Sequence, residues 1–158
     1  MNSAERIGII QGIKTAWLGM GIMLLITITT SLINGNLNEL INPKLIIESW
    51  KYIAYIVVLT CFCGYITGKK AAKSIIGDEA KNYIKSGMAF SVLSLVIFGS
   101  LSALPGAIES MIATNEFMPE IIMFIPGFTI VVVIFGLFPA LLVGAYLGKS
   151  LNRRRFNM

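Results

Sequence analysis

Four long apolar stretches constrain the fold of this chain more than any other feature. Each is close to the roughly 20 residues that an α-helix needs to cross about 30 Å of hydrocarbon, and none contains Asp, Glu or Arg. Apolar and polar residues do not alternate in them, as they would in the strands of a membrane barrel. The sequence therefore predicts an all-α polytopic membrane protein, a single four-transmembrane-helix bundle whose spans cover about 15–33, 50–67, 87–104 and 127–147.

The composition excludes a soluble domain. Of the 158 residues, 56% are hydrophobic and 13% are charged, whereas soluble domains carry roughly 25% charged residues. Too few polar side chains remain to cover an apolar core in water. We therefore expect the whole chain to form one domain whose solvent is mostly lipid.

The distribution of Lys and Arg predicts the orientation. Four spans place the N-terminus, the 68–86 loop and the C-terminus on one side, and that side holds eleven of the thirteen basic residues. The other side, with loops 34–49 and 105–126, holds only Lys44 and Lys51. The positive-inside rule then predicts a cell-membrane protein with both termini in the cytoplasm. We expect the basic face to contact anionic lipid and not nucleic acid, because no aromatic platform accompanies the charges.

The chain contains a weak internal repeat. The first and third spans open with Ile-Lys followed by small residues, at Ile13 and Ile84, and the second and fourth spans end with a glycine pair and a lysine. Two hairpins of the same orientation imply a pseudo-two-fold axis along the membrane normal. The pattern predicts that the bundle consists of two related helical hairpins.

Two glycine pairs have the small-xxx-small spacing that lets helices approach closely in lipid. They are Gly64 with Gly68 and Gly144 with Gly148. Two interpretations remain open at this point. The pairs pack helices within one chain, or they form the seam of a dimer with a second copy.

Catalytic and metal chemistry have little support in the sequence. Histidine is absent, which removes the commonest general base and metal ligand together. Cys61 and Cys63 are two residues apart, so on a helix they point in nearly opposite directions and cannot share a metal ion or a disulfide. We expect neither an enzyme nor a cofactor or metal site.

Hydroxyl residues in the first and third spans are candidates for the lining of a solute path: Thr27, Thr30, Ser94 and Ser100. Gly136 and Pro139 interrupt the fourth span, and broken helices form the binding sites of many transporters. However, the spans lack the embedded charge that usually binds a coupling ion. The same residues also fit a kinked structural helix.

The 105–126 loop combines acids with large apolar residues. Ile108, Met111 and Ile112 share one helical face, which predicts a short amphipathic helix at the bilayer surface. Exposed apolar residues beside acids also suit docking of a partner protein. The candidate partner-facing residues are Glu109, Glu116, Phe117 and Glu120.

These observations favour a small membrane binding or accessory protein that contacts the lipid bilayer and another membrane protein or a second copy of itself. The alternative is a small transporter or channel for a solute or ion, formed as an oligomer. In size and topology the chain resembles several kinds of small four-span protein, among them immunity proteins against pore-forming toxins, flippase-like proteins and accessory subunits of larger complexes. No motif in the sequence assigns it to one of them.

Overall fold

The structure, a computed structural model, describes residues 3–35, 47, 49–77, 82–114 and 119–155. Every regular element in these residues is helical, which confirms the predicted all-α fold. The elements are α1 (Ser3–Ile33), α2 (Trp50–Ala72), a π-helical turn (Lys73–Gly77), α3 (Tyr83–Ser102), α4 (Leu104–Thr114) and α5 (Pro119–Arg155). Four helical segments are long and apolar enough to cross a membrane.

The helices are longer than the apolar stretches. With 37 residues, α5 is about 55 Å long at 1.5 Å per residue, nearly twice the thickness of the hydrocarbon layer. Hydropathy marks where a helix enters lipid, whereas the backbone hydrogen bonds continue beyond that point. For this reason α1 begins twelve residues before the predicted span at residue 15, and α2 and α3 extend into the predicted 68–86 loop.

The predicted 105–126 loop is largely helical in the structure. The amphipathic helix expected around Ile108 is α4, and α5 already begins at Pro119. Most of the other predicted outer loop, 34–49, lies outside the described residues. The fourth span is also not interrupted, because α5 continues through Gly136 and Pro139 as one helix.

The helices form two antiparallel hairpins. α1 packs most extensively against α2, and α3 against α5, while α1–α5 and α2–α3 contacts join the hairpins into a four-helix ring. The start of α1, the end of α2, the start of α3 and the end of α5 meet at the same end of the bundle. This end carries Lys69, Lys70, Lys85, Lys149 and Arg153, and we call it the basic end. The other is the opposite end.

One cluster of buried side chains lies at the basic end, whereas Ala103 and Ala107 are buried towards the opposite end. Ala71, Ala72, Ile75, Leu147 and Leu151 are 0–2% exposed and form one cluster. Ile75 comes from the π-helical turn, which therefore closes the basic end of the bundle. All the buried residues of α1 fall between Gly8 and Thr15, and none of its residues from Ala16 to Ile33 is buried against the described part of the chain. The bundle is therefore tightly packed at the basic end and more open at the opposite end.

Candidate functional site

Glycines bring the two helices of the first hairpin into backbone contact. A Cβ atom added to Gly68 would overlap the carbonyl oxygen of Gly8, and one added to Gly12 would overlap the carbonyl oxygen of Gly64. A Cβ added to Gly64 would lie 2.8 Å from the Cα atom of Ile13. Any larger side chain at these positions forces the backbones apart. This seam joins the basic-end half of α1 to the end of α2.

The second hairpin has a seam of the same kind between α3 and α5. An added Cβ at Gly87 would overlap the carbonyl oxygen of Gly144, and one at Gly148 would overlap the carbonyl oxygen of Tyr83. This seam also extends towards the opposite end, where a Cβ on Gly136 would lie 2.6 Å from Leu95 Cδ1. The predicted pairs Gly64/Gly68 and Gly144/Gly148 thus pack helices of one chain, and the described contacts give no support to the dimer-seam interpretation.

The two seams have matching contacts. Gly64 faces Gly12, Ile13 and Ala16, whereas Gly144 faces Gly87, Met88 and Ser91. In these contacts Gly12 corresponds to Gly87. The sequence repeat, which aligns Ile13 with Ile84, instead aligns Ala16 with Gly87, so the two alignments differ by about one helical turn. Gly8 and Gly12 also have the small-xxx-small spacing, but they precede the apolar stretch, where this spacing is a weaker signal of helix packing.

An elongated cleft lies between the two hairpins. Its volume is about 430 Å³, within the usual range of ligand sites, about 300–1,000 Å³. All four membrane helices contribute to its walls, among others through Met20, Cys63, Leu95, Phe135 and Pro139. Because the seams hold each hairpin together along α1–α2 and α3–α5, the loosest packing in the bundle falls between the hairpins.

The lining of the cleft is apolar in its chemistry although it contains hydroxyls. Thr15, Thr60 and Thr67 donate to the carbonyl oxygens of Gln11, Ile56 and Cys63 on their own helices, so their donor capacity is already used. None of the described lining residues carries a charge. The described residues also contain no buried side-chain N or O atom without a hydrogen-bond partner. The cleft therefore suits an apolar ligand.

The cleft is closed at one end and open at the other. Leu147 belongs both to its wall and to the core cluster that seals the basic end. Towards the opposite end, Phe128, Val131 and Phe135 line the cleft while remaining 36%, 50% and 70% exposed. The cleft therefore opens on the surface of the bundle at the end remote from the basic residues.

The four predicted pore residues do not come together. Ser94 lines the cleft, whereas Thr27, Thr30 and Ser100 are not among its lining residues. Thr27 and Thr30 are exposed and donate to the carbonyl oxygens of Met23 and Ile26 on α1. Ser100 donates to the carbonyl oxygen of Val96 and lies 3.3 Å from Thr129 Oγ1. The hydroxyls of Thr27, Thr30 and Ser100 thus donate within their own helices, and the four residues form no common path.

The predicted partner-facing surface is only partly covered by the structure. Glu116 and Phe117 lie outside the described residues, and only the backbone of Glu120 is described. Glu109 is exposed on α4, near the side chain of Tyr52 at the start of α2. The helix α4 itself packs mainly against α5.

The remaining polar groups offer little for catalysis or metal binding. Among the described residues no three His, Cys, Asp or Glu side chains are grouped as a metal would require. Cys63 is buried in the cleft wall and Cys61 is not one of its lining residues. At the basic end Lys69 Nζ lies 3.7 Å from Glu5 Oε1, and an exposed pair of this kind contributes at most about 1 kcal/mol.

Comparison of the chain with protein-family models, with curated proteins and with solved structures found no match. The function of the cleft is therefore inferred from its own geometry and chemistry.

Proposed function

We propose that this chain is a small binding protein of the cell membrane, with both termini in the cytoplasm, and that it holds an apolar group of another membrane component in the cleft between its hairpins. The observation that carries the proposal is the cleft itself, about 430 Å³ in volume, uncharged, closed at the basic end and open on the surface of the bundle towards the opposite end. The proposed role is non-catalytic, and it is supported by the hydroxyls of Thr15, Thr60 and Thr67, which donate to backbone carbonyls of their own helices.

If the two hairpins are related, the position of the cleft between them has a structural explanation. The matching seams at Gly12–Gly64 and Gly87–Gly144 support two copies of one supersecondary unit. Two such units, each held together by backbone contact at its glycines, are in less extensive contact with each other. A cleft on the axis between them is the expected place for a ligand.

The proposal is tested by extracting the protein from its own membrane in mild detergent and recording native mass spectra. We expect the wild type to retain a bound component. Ala140→Phe places a ring in the cleft, and we expect that variant to lose the component. Leu142→Phe is the matched control, because Leu142 is 53% exposed on the lipid-facing side of the same helix. Equal retention by all three proteins would refute binding in the cleft.

One observation favours a second candidate function, a small transporter. Two hairpins that pack closely within themselves and less extensively against each other resemble the halves that rock against each other in alternating access. Purified protein reconstituted alone in vesicles separates the two functions. A binding protein leaves solute flux at the background level, whereas a transporter raises it and loses that flux in Ala140→Phe.

A further inference from the structure

The dimensions of the cleft restrict what can occupy it. Its lining runs from Gly12 to Met23 on α1 and from Leu147 to Phe128 on α5, or about 16 Å and 28 Å of helix at 1.5 Å per residue. An α-helix with its side chains is at least about 10 Å across, so over that length it would occupy roughly 1,300–2,200 Å³. The cleft volume of about 430 Å³ does not hold a helix from a partner or a second copy, and it suits a thin flexible chain.

Water is a poor occupant of this space. A buried water needs two to four polar partners. Of the five hydroxyls that line the cleft, those of Thr15, Thr60 and Thr67 already donate to carbonyls of their own helices, which leaves Ser91 and Ser94 as donors among apolar side chains. An empty cleft is unfavourable too, because the lining atoms then lose their dispersion contacts on one side. Hydrocarbon is the filling that matches the lining.

The open end of the cleft adjoins the hydrocarbon of the bilayer. Phe128 and Phe135 of α5 line the cleft and are exposed beside it. Opposite them, Met20 and Met23 of α1 line the cleft in a helix segment that has no buried residue in the described structure. Methionine side chains adapt to irregular apolar ligands. Lipid chains are thus the molecules always present at the opening.

From these observations we propose that the cleft binds one acyl chain of a phospholipid from the leaflet at the opposite end, which is the outer leaflet in the proposed orientation. The tip of the chain points towards Leu147 and the core cluster, and the headgroup stays at the bilayer surface. This inference rests on the proposed function and names the chemical class of its ligand. The bound chain fills the interface between hairpins that the glycine seams leave loose.

The first test uses nanodiscs made of one defined phospholipid, palmitoyl-oleoyl-phosphatidylglycerol. After transfer to mild detergent, native mass spectrometry should show one phospholipid retained per wild-type chain. Leu142→Phe should retain it as well, and Ala140→Phe should lose it. If the wild type retained no phospholipid, or if Ala140→Phe retained as much as the wild type, the assignment of the ligand would be overturned.

The second test does not depend on the folding of a cleft-filling variant. In a Cys61→Ala/Cys63→Ala background, Ser94→Cys places a thiol in the cleft wall at a half-buried position, so its alkylation by N-ethylmaleimide reports an open cleft. With the phospholipid at about ten times its Kd, mass action should slow this alkylation roughly tenfold. Ser100→Cys in the same background is half-buried on the same helix but lies outside the lining, and it should react at an unchanged rate. Unchanged alkylation of the Ser94→Cys protein would contradict lipid binding in the cleft.

The two proposals fail in different ways. If Ala140→Phe releases a component acquired in the native membrane while the phospholipid is neither retained nor protective, the cleft is a binding site and its ligand is not an acyl chain. A released component with the mass of a peptide or of a second copy would likewise exclude an acyl chain as the ligand. If the wild type retains neither the native component nor the phospholipid, both proposals are wrong.

Discussion

At the residue scale, Gly68 and Gly148 show why the seams require residues without a Cβ atom. A Cβ atom at either position would overlap a carbonyl oxygen of the facing helix, and lipid supplies no hydrophobic drive to offset a larger separation. We expect Gly68→Leu and Gly148→Leu each to lower the free energy of unfolding by about 1–3 kcal/mol, measured by unfolding in detergent. Gly21 and Gly127 are controls, since a Cβ there meets nothing within 4 Å. Equal loss of stability in Gly21→Leu or Gly127→Leu would show that close packing at the seams is not the cause of the destabilisation.

The correspondence between the hairpins is tested at Gly12 and Gly87. Each faces a carbonyl oxygen of the second helix in its hairpin, Gly64 for Gly12 and Gly144 for Gly87. We expect Gly12→Leu and Gly87→Leu to destabilise the protein in the same direction and to agree within about 1 kcal/mol, given the usual spread of overpacking costs. Destabilisation by one substitution and wild-type behaviour of the other would argue against two related hairpins.

Only part of each seam could be predicted from the sequence, for an identifiable reason. The pairs Gly64/Gly68 and Gly144/Gly148 lie at the ends of apolar stretches, where the spacing of small residues has a known meaning in lipid. Gly12 lies before the apolar stretch of α1, and hydropathy does not report that the helix already exists there. The packing partner of a glycine is also a tertiary property, so the spacing alone does not distinguish an internal seam from a dimer seam.

At the scale of single helices, α1 is packed over only its basic-end half. From Ala16 to Ile33 the structure describes no buried residue in this helix. Thr27 and Thr30 bond to carbonyls of the preceding turn, which adds little to stability. We expect Thr27→Val and Thr30→Val to change the free energy of unfolding by less than about 0.5 kcal/mol, and to leave lipid retention intact. If these variants lost the bound phospholipid, Thr27 and Thr30 would have to be part of the binding site.

The contact between α2 and α3 contains a hydrogen bond across the two hairpins. Tyr55 donates its hydroxyl to the carbonyl oxygen of Leu101 at 2.7 Å. We expect Tyr55→Phe to lower the free energy of unfolding by about 0.5–1.5 kcal/mol, the usual net contribution of one such bond. Tyr65→Phe on the same helix is the control, because Tyr65 is 43% exposed and its hydroxyl bonds to none of the described residues. Equal effects of both substitutions would show that the bond contributes nothing.

For the whole molecule, sequence and structure contribute different information. Four apolar stretches suffice to predict the number and type of the membrane-spanning helices, because lipid requires every backbone group to be bonded internally. The cleft has no comparable signal. Its walls combine residues such as Met20, Thr60, Ser94 and Pro139, which are distant in sequence, chemically ordinary and brought together only by the packing of the two hairpins. A site without charge or motif is visible only once the helices are arranged.

The orientation of the molecule decides which leaflet supplies the ligand. The basic end carries most of the Lys and Arg residues, and short loops make the positive-inside rule apply strongly. In a Cys61→Ala/Cys63→Ala background, we therefore expect Asn152→Cys to resist a membrane-impermeant maleimide in intact cells and to react after permeabilisation. Ile112→Cys, on α4 at the opposite end and 73% exposed in the wild type, should react without permeabilisation. The reverse labelling pattern would place the termini outside and make the inner leaflet the source of the bound chain, while the fold and the cleft would remain as described.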